Sequence, residues 1–343
     1  MNRIKPITKL AGLCLLLLGA FTVANAADAA TWRYAHEENQ GDVQDVYAQF
    51  FKKHIEQNSD HTLQIYRFGE LGESDDIMEQ AKVGILNFVN QSPGFTGAQI
   101  PEAQIFFIPY LMPTDMDKVV TFFRNSTAIN EDFPKLYADN GLELLSMYPE
   151  GEMVITIDEA FTSPKGLKGK KMRVMTNPLL SETYSAFGAI PAPLPTGEVY
   201  GALQTNIING QENPIFWIES EQLYEVSPNL VYTSHGWFTT AAMANKRFYD
   251  KLPNEDQKLI HNAADYAFEN VIIHIAGLEE KALERIQERN GKVTVTRLDS
   301  AQIKAFKARS GQVEEKFIAM TGDSGKELLR QFKKDLSEVQ NQH

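Results

Sequence analysis

The stretch that decides the fold of this chain is KMRV at Lys171–Val174, followed by NPL at Asn177–Leu179 and GQENP at Gly210–Pro214. The first segment is a short apolar strand that carries Arg173 near its end, and a helix start follows it. An arginine held at that point presents a planar fork to one carboxylate. The side-chain amide of Asn213 adds a donor, so the sequence predicts an α/β unit with an anion clamp.

Aromatic residues are dense in the same part of the sequence: Phe216, Trp217, Trp237 and Phe238. Together with the clamp they predict a small ligand with a carboxylate at one end and a flat or cationic body. Taken singly, each of these side chains is also typical of a hydrophobic core.

The N-terminus is typical of a secretory signal peptide. Basic residues precede an apolar run at Leu10–Ala24, and Ala24–Ala26 is a small-x-small cleavage site. A membrane anchor is the alternative, but the run is shorter than the roughly 20 residues that span a bilayer. We therefore expect an exported mature chain that begins at Ala27.

Composition excludes several classes of function. Cys14, the one cysteine of the chain, lies inside the apolar run, so removal of the signal leaves no thiol for disulfides, catalysis or metal binding. Removal also takes away three basic residues and changes the formal charge from −12 to −15. Such an acidic chain is a poor candidate for binding nucleic acid or anionic lipid.

Hydrophobic periodicity predicts alternating strands and helices. Strands are predicted at Thr31–Ala35, Thr62–Tyr66, Ile85–Val89, Leu142–Met147, Met153–Ile157, Lys170–Met175 and Lys292–Leu298. Helices are predicted at Val43–Gln57, from Ser74, at Asn177–Phe187, Thr196–Thr205 and Pro253–Asn290, where Gly277 is a candidate kink, and through most of Ser300–Gln342. This rhythm is typical of an open α/β sheet, in which ligands bind at the carboxyl ends of strands.

Common enzyme motifs are absent from the sequence. No Gly-x-Gly-x-x-Gly, phosphate-binding loop or Gly-x-Ser-x-Gly elbow occurs, and the histidines do not pair at metal-binding spacing. Asp75, Asp76 and Glu79 suggest calcium, but they follow Ser74 where acidic residues stabilise a helix N-terminus. We predict no enzyme activity, no cofactor and no metal ion. A secreted hydrolase stays an alternative, because the separation of two carboxylates is a three-dimensional property.

Several strings resemble the signature of the periplasmic solute-binding proteins of TRAP transporters: Lys171–Val174, Gly188–Ala189, Glu198–Thr205 and Gly210–Pro214. The resemblance covers essentially the whole mature chain. Within that family the match is strongest to the ectoine and hydroxyectoine receptors, through Trp32–Glu38, Val89–Thr96, Asn213–Ser220 and Ser234–Phe238.

The resemblance implies a two-domain clamshell with shared strands and a long hinge-spanning helix, and a separate membrane permease to which the loaded protein docks. We expect a monomer. The expected division is a signal peptide at 1–26, a first domain at 27–153 plus about 242–282, a second domain at 154–241 plus about 283–320, and a C-terminal helical region at 321–343.

The resemblance also implies the roles of individual residues. Arg173 and Asn213 match the carboxylate clamp, Glu38 matches the partner of the ligand's cation, and the aromatic walls match Phe95, Trp217 and Phe238. Ectoine is a cyclic zwitterion with an amidinium plane, so a carboxylate beside that plane and aromatic faces around it stabilise the cation.

One position departs from the ectoine receptors. They have Pro-Trp-Gly-Glu-Val-Tyr where this chain has PTGEVY at Pro195–Tyr200. Thr196 opens space and adds a hydroxyl, which favours hydroxyectoine or a different small carboxylate such as an organic acid or an amino acid. Two further questions stay open at this level: whether Glu37 or Glu38 points inward, and whether Arg173 merely pairs with a protein carboxylate, Glu198 or Glu212.

Overall fold

The computed structural model describes residues 29–341, so the predicted signal peptide and Cys14 lie outside the described residues. Within them, nine strands form one sheet in the order β2-β1-β3-β8-β4-β7-β5-β6, and β9 pairs with β8. The strands are β1 (Thr31–Ala35), β2 (Thr62–Tyr66), β3 (Phe88–Gln91), β4 (Leu142–Ile157), β5 (Lys171–Val174), β6 (Ile190–Pro193), β7 (Gly210–Asn213), β8 (Asn229–Asn245) and β9 (Thr294–Arg297).

Helices cover both faces of this sheet. The α-helices are α1 (Val43–Asn58), α2 (Ser74–Val83), α3 (Pro93–Thr96), α4 (Met116–Asn125), α5 (Phe133–Asp139), α6 (Pro178–Phe187), α7 (Val199–Gln204), α8 (Ile215–Ser220), α9 (Leu223–Val226), α10 (Lys246–Tyr249), α11 (Asn254–Ile275), α12 (Leu278–Arg289), α13 (Ser300–Lys307) and α14 (Ser310–Gln340). Short 3₁₀ turns occupy Pro101–Phe107, Pro164–Leu167 and Thr196–Glu198, and a π-helical turn occupies Ala128–Asp132. No helix among residues 29–341 has the length and apolar character needed to cross a membrane.

Two long strands, β4 and β8, hold the halves of the molecule together. They pair antiparallel from Leu142 with Asn245 to Ile157 with Asn229. β3 joins the C-terminal half of β8, whereas β7 joins the C-terminal half of β4 and β9 the N-terminal half of β8. The sheet therefore divides into a first lobe (β2, β1, β3 and the adjoining halves of β8 and β4) and a second lobe (the other halves with β9, β7, β5 and β6). The prediction of an α/β clamshell with shared strands is confirmed.

Several strands differ from the prediction or were not predicted. Leu142–Met147 and Met153–Ile157 were expected as two strands but belong to one, since the bulges around Pro149 and Gly151 bend β4 without ending its pairing with β8. β8 itself, β6 and β7 were not predicted. Ile85–Leu86 is not part of β3, because the backbone N–H groups of both residues bond the Gln80 carbonyl and close the end of α2.

The predicted helical stretch Pro253–Asn290 is two helices. Gly277 takes a φ of +75°, a left-handed conformation that interrupts the helix more sharply than a kink. α11 packs against α1 of the first lobe, and α12 packs against α8. A second link is α14, which packs against α6 before its break at Gly322 and against α4 after it.

The core of the first lobe fixes the start of α1. Val43, Tyr47, Phe51 and Ile55 recur at helical spacing and are fully buried. The ring of Tyr47 stacks on Tyr148 of β4 at 4.5 Å between centroids. The first turn of α1 is thereby held beneath β4, close to the point where the two lobes meet.

Candidate ligand-binding site

A cavity between the lobes, partly open to solvent, contains about 340 Å³ that protein atoms do not fill. All seven residues predicted as ligand contacts line it, although they are spread from position 38 to position 238 of the sequence. The other lining residues are Glu37, Gln44, Met175 and Pro214.

Strand ends bring most of these side chains together. Glu37 and Glu38 follow β1, Phe95 lies on α3 directly after β3, Arg173 is in β5 and Asn213 ends β7. Such edges are where open α/β sheets bind ligands. The loop between β3 and α3 approaches β5 closely, since a Cβ on Gly94 would lie 2.1 Å from the sulfur of Met175.

Arg173 is the cation of the cavity and has no ion partner among the described residues. Its side chain is 2% exposed. Nε donates to the Leu194 carbonyl at 3.0 Å, and Nη2 lies 3.4 Å from the Thr196 hydroxyl. Burial lowers the pKa of Arg173 to about 10, against the opposing effect of nearby carboxylates, so the guanidinium is charged at neutral pH. Its remaining N–H donors are left for a ligand.

Glu212 is the leading protein candidate for an ion pair with Arg173, but its carboxylate forms hydrogen bonds with other residues. Its Oε2 accepts from the Tyr184 hydroxyl at 2.6 Å and lies 2.7 Å from Nε2 of His235. Glu198 makes no ion pair with Arg173 among the described residues and is exposed. The interpretation of Arg173 as a structural bridge to either glutamate is therefore wrong.

The carboxylates of the cavity stand without cations among the described residues. Glu37 and Glu38 both line the space, which answers which of the two points inward. Oε2 of Glu37 accepts from Ser92 N–H at 2.9 Å while its Oε1 has no partner, and Oε2 of Glu38 accepts from Gln44 N–H at 2.7 Å. Burial raises the pKa of Glu37 to about 8 and raises that of Glu38 well above its usual range.

Three aromatic side chains complete the walls. Phe95, Trp217 and Phe238 are buried but line the cavity, so each serves the core and the site together. The Trp217 ring is held edge-on by Phe68 at 5.9 Å. Thr196 begins the 3₁₀ turn beside Arg173, and Asn213 donates one of its amide hydrogens to Gln211, which leaves the second for a ligand.

Direct hydrogen bonds link the lobes next to the cavity. Asn177 Nδ2 donates to the Pro93 carbonyl at 3.2 Å, and Leu179 N–H donates to the side chain of Gln104 at 2.9 Å. Thr183 donates to the Phe107 carbonyl at 2.8 Å. These contacts hold the lobes together around the cavity.

Sequence reasoning missed Gln44 and Met175 as lining residues. Gln44 is fully buried in the first turn of α1 and bonds Glu37 N–H, Glu150 and Thr240 with its side chain. A polar residue next to Val43, at the start of an otherwise apolar face, was the available signal. Of the acidic residues after Ser74, Asp76 acts in helix capping, since it accepts from Glu73 N–H at 2.9 Å. No cluster of metal-ligating side chains occurs within residues 29–341.

Comparison with known proteins gives consistent matches along the whole described chain. The family described as "Bacterial extracellular solute-binding protein, family 7" matches residues 34–320. The chain is 67% identical over 332 residues to the ectoine-binding periplasmic protein TeaA of Halomonas elongata, which covers 97% of this chain and 96% of that protein. It is 54% identical to the ectoine/5-hydroxyectoine-binding periplasmic protein UehA of Ruegeria pomeroyi, over 94% and 95% of the two chains.

Solved structures of TeaA match the fold. A high-resolution structure of this ectoine-binding protein, from the TeaABC TRAP transporter, superposes with a TM-score of 0.89 at 69% identity and covers 90% of this chain and 99% of that one. The apo-state structure of the same protein, with the same coverage, gives 0.80. The arrangement of lobes seen here is thus closer to the former.

Proposed function

This chain belongs to the bacterial extracellular solute-binding proteins of family 7, and from that premise we propose that it captures ectoine or hydroxyectoine in the periplasm for a TRAP transporter. Family membership makes the protein a receptor, which argues against the hydrolase alternative. Its two close relatives are named for ectoine, or for ectoine and 5-hydroxyectoine.

The observation that carries the proposal is that one cavity is lined by a buried arginine and by two buried carboxyl groups that form no ion pair with it. Among residues 29–341, Arg173 is a buried cation that forms no ion pair with a carboxylate, and Glu37 and Glu38 are buried carboxyl groups that form none with a cation. Buried charges are costly unless they are paired. A zwitterion of matching length pairs both ends at once, which a simple acid does not do.

The proposed contacts follow from this charge pattern. Arg173 and Asn213 hold the ligand carboxylate, and Glu38 faces the amidinium. Phe95, Trp217 and Phe238 surround the flat cation, and each desolvated cation–π contact contributes about 1 to 2 kcal/mol.

Closure of the lobes accounts for how the ligand is retained. We propose that the bodies which move are residues 27–153 with about 242–282, and residues 154–241 with about 283–320, with 321–343 as a C-terminal helical strap. Hinge bending at the bulges of β4 and at Gly277 would open the cavity. Opening would break the hydrogen bonds of Asn177, Leu179 and Thr183 described above.

Delivery follows from the family and from the relatives. The closed, loaded receptor meets the membrane subunits of a TRAP permease and releases the solute there. We propose that it works as a monomer, since each cavity is complete within one chain.

A second candidate ligand class is a small organic acid or an amino acid. Thr196 favours it, because the threonine leaves room and a hydroxyl beside Arg173 where the ectoine receptors have a tryptophan. A simple organic acid would leave Glu37 and Glu38 without a cation, and an amino acid brings an ammonium group but no flat cation for the aromatic walls, which is why we rank this class second.

Calorimetric titration against ectoine, hydroxyectoine and a panel of small acids and amino acids tests the proposal. We expect tight binding of one or both ectoines and weak binding of simple acids. Binding of a simple acid together with no binding of either ectoine at millimolar concentration would overturn the ligand and leave the family unchanged. A washed, ligand-free sample is the necessary starting point, because the closed form retains solute.

A further inference from the structure

Behind Glu38 lies a second carboxyl group that does not line the cavity. Glu150 belongs to β4, at the bend between the lobes, and its side chain is fully buried. Its Oε1 accepts from Gln44 Nε2 at 3.1 Å and from the Thr240 hydroxyl, whereas its Oε2 has no partner. An ionised carboxylate loses most of its hydration when it is buried at that position.

Glu38 and Glu150 stand side by side. Gln44 holds both, through its backbone N–H to Glu38 and through its side-chain amide to Glu150. Glu38 Oε2 lies 2.7 Å from the backbone nitrogen of Gln44, and Glu150 Oε1 lies 3.1 Å from Nε2 of the same residue. No lysine, arginine or histidine forms an ion pair with either one among residues 29–341, so two adjacent negative charges would be uncompensated there.

We infer that Glu38 and Glu150 share one proton in the ligand-free protein and that the cation of the ligand displaces this proton on binding. The inference rests on the proposed function, because it needs a cationic ligand group at Glu38. In the empty site the acid form of one residue donates to the carboxylate of the other. On binding, the O–H bond breaks, the proton leaves to the solvent, and the amidinium takes its place beside Glu38. The charge of the inner site is therefore the same before and after.

Charged and titratable groups on the neighbouring elements affect the protonation of Glu38 and Glu150. Burial raises the pKa of both Glu38 and Glu150, and the charge of Glu150 adds to the effect on Glu38. From the surrounding elements the charged or titratable neighbours are Glu37 and His36 after β1, Arg67 after β2, Asp42 and Asp45 at the start of α1, Tyr148 of β4, Arg173 of β5 and Glu221 after α8. Arg67 pairs with Asp45 at 3.0 Å, and Arg173 forms no ion pair with Glu38 or Glu150, so neither arginine compensates the two carboxyl groups.

Displacement of the shared proton by the ligand makes the affinity fall as the pH falls. Below the pH at which the pair takes up its proton, the ligand must expel that proton, so the dissociation constant rises about tenfold for each unit of falling pH. Above that pH the affinity is flat. A receptor without the shared proton would show no such slope while its ligand keeps one charge state.

Calorimetry in buffers of different ionisation enthalpy measures the released proton directly. For ectoine binding to the full chain we expect about one proton per ligand near neutral pH. Glu150→Gln keeps a donor beside Glu38 but holds no exchangeable acid proton, so the release and the pH slope should disappear. Glu143→Gln, on the same strand but paired with Lys246 at its far end, is the matched control and should release the proton like the parent.

Three results would overturn the inference. One is an apparent binding enthalpy that is equal in all buffers for the parent protein. Another is unchanged release in Glu150→Gln together with its loss in Glu37→Gln, which would assign the proton to Glu37. The third is the absence of a protonated-carboxyl C=O band in the infrared difference spectrum between ligand-free parent and Glu150→Gln at neutral pH. Failure of ectoine to bind at any pH would instead overturn the proposed function, and the infrared band then decides the shared proton by itself.

Discussion

Replacement of Arg173 separates a ligand clamp from a structural arginine. In Arg173→Lys the charge stays, but the planar fork is lost, so a carboxylate keeps at most one of its two parallel hydrogen bonds. In Arg173→Met the charge is lost as well, and the ligand carboxylate is left buried without a cation. Both variants should bind more weakly, and the methionine variant should bind the more weakly of the two.

The expected magnitude follows from the surroundings of the side chain. Nε is used by the Leu194 carbonyl and Nη2 contacts Thr196 only at 3.4 Å, so at least three of the five guanidinium N–H groups are free for a ligand. Removing one partner of a buried, hydrogen-bonded charge pair costs about 2 to 5 kcal/mol. This corresponds to a loss of affinity of about 30-fold to several thousand-fold, with the lysine variant near the lower end.

Stability should move differently from affinity. Because the buried guanidinium forms no ion pair within residues 29–341, Arg173→Met removes an uncompensated charge and should leave the free energy of unfolding unchanged or raise it. Arg285→Met is the control, since it breaks a bidentate pair with Glu219 at 2.7 and 2.6 Å between α12 and α8. That partly exposed pair contributes up to about 1 kcal/mol, so the control should lose a little stability and keep its affinity.

Calorimetry and chemical denaturation of the ligand-free variants check this reasoning. An Arg173→Met protein that binds ectoine like the parent but unfolds more easily would show that the arginine is structural. Strong loss of both properties would mean that the side chain has a protein partner in solution which the described contacts do not include.

Three further outcomes are expected. Thr196→Trp should raise the affinity for ectoine relative to hydroxyectoine. The tryptophan adds an aromatic face worth about 1 to 2 kcal/mol, and the lost hydroxyl was worth about 1 kcal/mol to the extra oxygen of hydroxyectoine. Titration of both ligands into both proteins tests this, and an unchanged ratio of the two affinities would contradict it. Saturating ligand should compact the protein in small-angle scattering and stabilise it by about 2.7 kcal/mol at a hundred times the dissociation constant, and a confirmed ligand that changes neither measurement would contradict closure. The ligand-free protein should lose stability as the pH rises from about 5 to 8. Burial raises the pKa of Glu37 to about 8 and that of Asp42 to about 7, so the folded state holds protons that the unfolded carboxyls release near pH 4. A melting temperature that rises across this range would contradict these raised pKa values.

Local patterns in the sequence were sufficient to predict the elements whose regularity comes from their own residues. β1 and β2 have the predicted bounds, and α1 differs by one residue, since side-chain alternation and helical spacing are properties of neighbouring residues. The long strand β8 was missed because its regularity comes from β4, almost ninety residues earlier in the chain, and not from a pattern of its own. For the same reason β4 was divided at Pro149, where pairing with β8 carries the strand past a proline.

What the sequence determined by itself is the family, the α/β class and seven of the residues that meet in the cavity, because the strings compared with the family contain those seven residues. What only the tertiary structure decided is their electrostatic state. Within the described residues Arg173 forms no ion pair, while Tyr184 and His235 bind Glu212, and Gln44 binds both Glu38 and Glu150. Charge, burial and hydrogen bonding depend on distances between atoms that lie far apart in the chain, and such distances are fixed only when the two lobes fold against each other.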